Sequence, residues 1–340
     1  MSTKRVVYFD LLNVAACIAV VALHCNQMVH TWQPGKNWLL AMAIETVFYW
    51  AVPIFFMLTG ATLMCYRERY DTRTFIEKRV KRTVIPFFAW SLILFLVVSV
   101  PLGGAHLGIR TFLNMMLNNQ IEQVYWFFFP LFSLYLALPM ISLLADNKKV
   151  ILYGVMVSFA LVSVLPYLCQ LGGVNWNGAI SIPSFGGMLL YVGLGYLLAS
   201  TDLDDKTTRT FYALGILGTV FRFVYTAGMS ESIGAVDRLF FNYSAFPAVL
   251  QAVAVFLFFK NLNLSRLQGR VITVLPELSA CSFGVYLIHK PILDHVVLGL
   301  MNVPMQSVAL RTVGVLVLYT ACVLTVFLLK KVPLVKAIIP

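Results

Sequence analysis

Residues 84–100, 150–169 and 308–329 form essentially continuous apolar runs, with no alternation of polar and apolar positions. A backbone buried in hydrocarbon must satisfy its own hydrogen bonds, which leaves helices or a closed barrel. Barrel strands are about ten residues long and alternate in polarity, so these runs predict helices. A crossing helix needs about twenty apolar residues. On that measure the chain predicts ten spans, near 6–29, 38–64, 84–101, 123–144, 150–170, 184–200, 211–227, 240–260, 275–292 and 306–329. Pro130, Pro139, Pro183, Pro276 and Gly284 interrupt or flank the fourth, sixth and ninth. The expected architecture is an all-α polytopic membrane bundle, a single domain over residues 1–340, in the plasma (cytoplasmic) membrane.

Composition agrees. Of 340 residues, 60% are hydrophobic and 11% charged, against about 45–50% and about 25% in a soluble domain. The first run is too long for the apolar core of a cleavable signal and reads as a retained span. The net charge of +11 is explained by orientation: with a cytoplasmic N-terminus, nineteen of the 25 basic residues fall on the cytoplasmic side, as the positive-inside rule requires. Both termini are then cytoplasmic, and no nucleic-acid partner is implied. The six cysteines show no metal-ligand spacing, and no metal site is expected. Asp202, Asp204 and Asp205 read as a solvated turn.

Polar groups inside a span are costly and mark candidate sites. The first span carries Asp10, Asn13, Cys17 and His24. At about 100° per residue these fall within an arc of roughly 60°, forming one polar stripe toward the bundle interior. His24 lies about 21 Å beyond Asp10 along the axis, in the outer half of the membrane. A histidine there suits general-base work on a hydroxyl; a packing histidine bonded between helices is the alternative. Before the third span, residues 67–82 hold seven basic residues. Lys78, Arg79 and Arg82 stand at helical spacing, which suits a phosphorylated ligand or contact with anionic lipid.

Several stretches together resemble the acyltransferase-3 family of integral-membrane O-acyltransferases of bacterial surface glycans. They are Asp10-x-x-Asn13, then ten intervening residues and His24, then residues 53–60 (PIFFMLTG), and Arg79-x-x-Arg82. To these are added Tyr125-Trp126-Phe127, residues 191–196 (YVGLGY), and the closing Tyr286-Leu287-Ile288-His289. The resemblance covers essentially the whole chain. It implies ten core helices, an acyl-CoA donor (usually acetyl-CoA) reached from the cytoplasm, and an acceptor hydroxyl on a cell-envelope glycan or lipid-linked sugar. It makes His24 the leading catalytic candidate, with Asp10 and Asn13 on the same stripe, and Arg79, Arg82 and Lys78 the donor-binding candidates. Asn13 departs from the family's Arg or Lys; an amide can bond a thioester or pantetheine group but cannot neutralise a phosphate or oxyanion.

Glu45, Tyr286, His289 and Trp126 are acceptor-side candidates. For each, a structural role is the alternative: an edge carboxylate, helix packing, or an interfacial aromatic belt. Arg222, in the seventh span, needs a carboxylate partner or an anionic ligand. A different class, a transporter or flippase for a lipid-linked sugar or small anion, fits the same polar stripe and the broken helices. Consumption of acyl-CoA separates the two.

Overall fold

The structure, a computed structural model, describes residues 5–99, 107–180, 185–264 and 270–339. Lys4, Arg266, the end of the expected third span, the start of the sixth and residues 102–106 lie outside the described residues. Every regular element among the described residues is helical. The first six are α1 (Val7–Cys25), α2 (Lys36–Phe48), α3 (Ala51–Leu63), α4 (Thr72–Arg79), α5 (Ile85–Ser99) and α6 (Ile109–Leu117). Next come α7 (Phe128–Ile141), α8 (Lys148–Ser158), α9 (Leu165–Leu171), α10 (Leu189–Ser200), α11 (Asp205–Ile233) and α12 (Phe246–Lys260). The last four are α13 (Arg270–Pro291), α14 (Val308–Arg311), α15 (Val313–Leu329) and α16 (Pro333–Lys336).

Among the described residues, seven helical stretches are long and apolar enough to cross a membrane: Val7–Cys25, Lys36–Glu68, Thr72–Val97, Gln123–Leu144, Lys148–Leu171, Asp205–Ile233 and Thr273–Leu300. Three shorter apolar helices, α10, α12 and α15, fall where the sixth, eighth and tenth spans were expected. The chain is a multi-pass membrane protein, as suits residence in the plasma membrane.

Boundaries differ from the sequence reading where a cap lies outside the apolar run. The third span begins at Thr72 rather than near 84, because Asp71 accepts a hydrogen bond from the Thr74 amide (2.9 Å) and starts a helix through the basic segment. Asp204 caps α11 in the same way through Thr207 (2.9 Å), and Gly234 (φ 65°) ends it in the left-handed conformation. The expected acidic turn is thus a helix cap, with Asp202 paired to Lys260 at 2.9 Å.

The α2–α3 span breaks at Tyr49–Trp50. Pro53 has no amide to return to Tyr49, and the Gln251 amide donates to the carbonyls of Thr46 (2.9 Å) and Val47 (3.3 Å). α1 is the axis of the bundle. Its residues enter two buried clusters, one shared with α3, α10 and α12, the other with α5, α7, α13 and α15. Small side chains make this possible: Ala16, Ala19, Ala22 and Cys25 are almost fully buried.

Candidate active site

The polar stripe on α1 runs beside a matching polar series on α13. Arg5 forms a two-armed ion pair with Asp10 (2.6 and 2.8 Å) and also donates to the Pro276 carbonyl (3.2 Å). Asn13 donates to the Ser279 carbonyl and hydroxyl, both at 3.0 Å. The Cys17 thiol lies 3.7 Å from the Ser282 carbonyl. His24 Nδ1 lies 3.5 Å from His289 Nε2, with ring centroids 4.9 Å apart at 61°. The partners advance in step, 276, 279, 282 and 289, so α1 and α13 run parallel and the stripe is a polar seam between two helices. α13 packs along this stripe, and His24, at its far end, borders a cavity.

That cavity has a volume of about 340 Å³. Around His24 its wall includes Gln27, Glu45, Tyr49, Trp126, Tyr243, Tyr286 and Lys290. Asp10 and Asn13 sit at the other end of α1 and do not share it. Glu45 is buried and lies on the cavity wall with His24. Tyr286 lines the wall, but its hydroxyl donates to the Val124 carbonyl, which leaves its proton committed. His289 is not on the wall. It is fully buried behind His24.

One side of the cavity is an aromatic ladder. Trp126 stacks on Tyr243 (5.8 Å, 13°), and Tyr243 stacks on Tyr49 (4.5 Å, 22°). The buried Arg222 guanidinium closes the ladder 3.3 Å from the Tyr49 ring centroid. Arg222 thus makes a cation–π contact, and the Glu45 carboxylate is close enough for its charge to act on Arg222. Lys290 is ion-paired with Asp294. At the cavity edge, burial raises the Glu122 carboxyl above the usual range, and Lys290 opposes that shift.

The donor candidates lie elsewhere. α1 rises from Asp10 to His24 and the α2–α3 span returns, leaving the basic segment at the Asp10 end. There a π-helical turn, Val80–Val84, joins α4 to α5. Its wider turn rotates Arg82 away from the face that a continuous α-helix would share with Arg79. Lys78 Nζ sits 3.8 Å from the Tyr70 ring centroid. Arg79 lies over Phe75 (5.7 Å) and Tyr135 (5.6 Å), with its Nε buried and unpartnered among the described residues. Arg82 is exposed.

Tyr49, Tyr243, Gln27 and Lys290 line the cavity and were not among the residues singled out from the sequence. Lys290 follows His289 in the closing motif, which was a usable signal. Tyr243 lies in a loop with none.

A helical membrane bundle with a histidine pair, one half-buried and one buried, beside a polar and aromatic cavity defines the class. The chain belongs to the acyltransferase-3 family: the family's sequence profile, described as an acyltransferase domain, matches residues 6–330. It is also similar to a serine/alanine racemase of Enterococcus gallinarum, at 30% identity over 215 residues. That match covers 61% of this chain and 28% of the racemase, so the chain spans little more than a quarter of its relative's length. No solved structure matches significantly.

Proposed function

We propose that this protein is a membrane O-acyltransferase that moves an acyl group, acetyl in the leading case, from acyl-CoA to a hydroxyl of a cell-envelope glycan or its lipid-linked precursor. The observation that carries the reading is the position of His24. It faces a cavity with Glu45 and an aromatic wall, at the end of α1 opposite the basic segment. In this reading the termini are cytoplasmic, ten helices cross the membrane, and the donor's phosphates sit near Arg79, Arg82 and Lys78. Family membership and the cavity both support it.

In the reaction, His24 takes the proton of the acceptor hydroxyl while its oxygen attacks the thioester carbonyl carbon. The carbon–sulfur bond then breaks, and the departing thiolate recovers a proton from the imidazolium. Lys290, on the cavity wall, is the cation placed to stabilise the tetrahedral oxyanion. Glu45 accepts a hydrogen bond from a second acceptor hydroxyl. Trp126 and Tyr243 offer flat faces to a sugar ring.

The test is saturable acetyl-CoA binding to the purified protein in nanodiscs. Arg79→Ala/Arg82→Ala weakens it by about tenfold or more, since each charge-assisted phosphate bond contributes about 1.5–3 kcal/mol before solvent screening. Wild-type protein that is folded yet does not bind acyl-CoA ends the transferase reading in favour of a transporter. On the acceptor side, Trp126→Ala raises the acceptor KM about three- to tenfold with little change in kcat, the scale of one lost stacking contact. An unchanged acceptor KM would make Trp126 a packing residue only.

A further inference from the structure

His289 is fully buried and does not reach the cavity, yet both of its ring nitrogens are engaged. Nδ1 lies 2.8 Å from the Tyr286 carbonyl and 3.0 Å from the Val285 carbonyl, one turn back in α13. Backbone carbonyls only accept, so Nδ1 carries the hydrogen and donates to both. A neutral imidazole has one N–H. His289 Nε2 is therefore bare and acts as an acceptor toward His24 Nδ1, 3.5 Å away.

The same rule then fixes the neighbouring ring. His24 Nδ1 must carry the hydrogen that it gives to His289, which leaves His24 Nε2 with its lone pair. Nδ1 points at a residue behind the cavity wall, so Nε2 is the nitrogen left to the cavity. The opposite arrangement, with a hydrogen on His289 Nε2, would force His24 to accept at Nδ1 and hold its own hydrogen at Nε2. A neutral His24 in that form has no lone pair for a substrate proton. Two carbonyls of α13 thus decide, through one intervening ring, whether His24 is a base.

We propose that His289 is a positioning residue that locks His24 in the Nδ1–H tautomer and thereby makes Nε2 the proton acceptor. This rests on the reading of His24 as the general base, and it extends that reading to the group that orients the base. The seam geometry supports it independently. His24 and His289 are 265 residues apart and form the last of three successive α1–α13 polar contacts, preceded by the bond from Arg5 to Pro276, which together hold the two helices in register.

The decisive measurement is the imidazole nitrogen spectrum of wild-type protein labelled with ¹⁵N-histidine in nanodiscs, assigned with a His24→Gln sample. The expected result is a protonated Nδ1 and a bare Nε2 on His24. A His24 ring protonated at Nε2 overturns the proposal and needs no variant or turnover to do so. Kinetics give the second readout. His289→Asn keeps a donor to the α13 carbonyls but is too short to reach His24, and its kcat falls about ten- to a hundredfold with KM within about twofold, the scale on which outer-shell partners act. His289→Gln places an amide oxygen near the lost Nε2 and restores kcat to within a few-fold of wild type. Equal losses in the Asn and Gln variants, with wild-type thermal midpoints, would reduce His289 to packing. Absence of any acyl transfer by wild type would instead end the transferase reading and leave the tautomer assignment standing.

Discussion

His24→Ala lowers acyl transfer about a thousandfold, within the ~10²–10⁴-fold that a positioned general base contributes. The loss appears in kcat. Acyl-CoA binding is unchanged, because the donor candidates Arg79 and Arg82 lie at the other end of α1. The fold survives as well. His24 is only half-buried on a cavity wall, so its removal widens an existing space instead of opening a new one. The group left behind is His289 Nε2, an acceptor, which is cheaper to leave unpaired than a buried donor. The measurement is single-turnover transfer alongside a thermal midpoint and an acyl-CoA titration. Wild-type turnover in a folded His24→Ala protein would remove His24 from the chemistry. A joint loss of turnover and donor binding would place His24 in donor binding rather than in catalysis.

Much of this arrangement was legible in the chain because the membrane enforces it. Hydrocarbon leaves a polar group in a span few excuses, so Asp10, Asn13, Cys17 and His24 announced one face of α1 by periodicity alone. What they faced was not legible. Ser279, Ser282 and His289 lie some 265 residues away, and no local pattern connects position 24 with position 289. For the same reason the sequence left His289 open between an acceptor contact and helix packing, and its place behind His24 came only with the fold. Arg79 and Arg82 show a different limit: their spacing implies one face only if the helix is α throughout, and the π-helical turn at Val80–Val84 is not visible in composition. The aromatic ladder was hidden twice over, since Tyr243 sits in a loop and Arg222 packs on a ring 173 residues away in the chain.

The resemblance stretches also acquire a physical reason. Residues 53–60 lie on α3 and residues 191–196 on α10, and these two helices pack more closely than any side chain would permit. A Cβ added at Gly60 would fall 1.9 Å from the Val192 carbonyl oxygen, and one at Gly195 would fall 2.0 Å from that of Met57. In both cases the obstacle is backbone, so no rotamer change relieves it. Small residues at a helix interface are how membrane helices gain packing energy where lipid supplies no hydrophobic drive. The same contact supports the site, because α3 also contributes Val52 to the cavity wall.

Gly60→Ala and Gly195→Ala are therefore expected to destabilise strongly. Overpacking a well-filled interior costs about 1–3 kcal/mol when side chains can adjust; here two helices must separate, and at least about 3 kcal/mol is expected. In a thermal melt in detergent this means a midpoint lower by about 5 °C or more, or loss of folded protein during purification. Gly228→Ala is the control: it lies in α11 with nothing within 4 Å of the added methyl, and alanine favours a helix over glycine by about 1 kcal/mol. That variant should melt at or above the wild-type temperature. A Gly60→Ala protein with an unchanged midpoint would mean that α3 and α10 do not meet backbone to backbone. A double variant separates the two substitutions. If both force the same pair of helices apart, the second adds little to the first, whereas independent sites would give the sum.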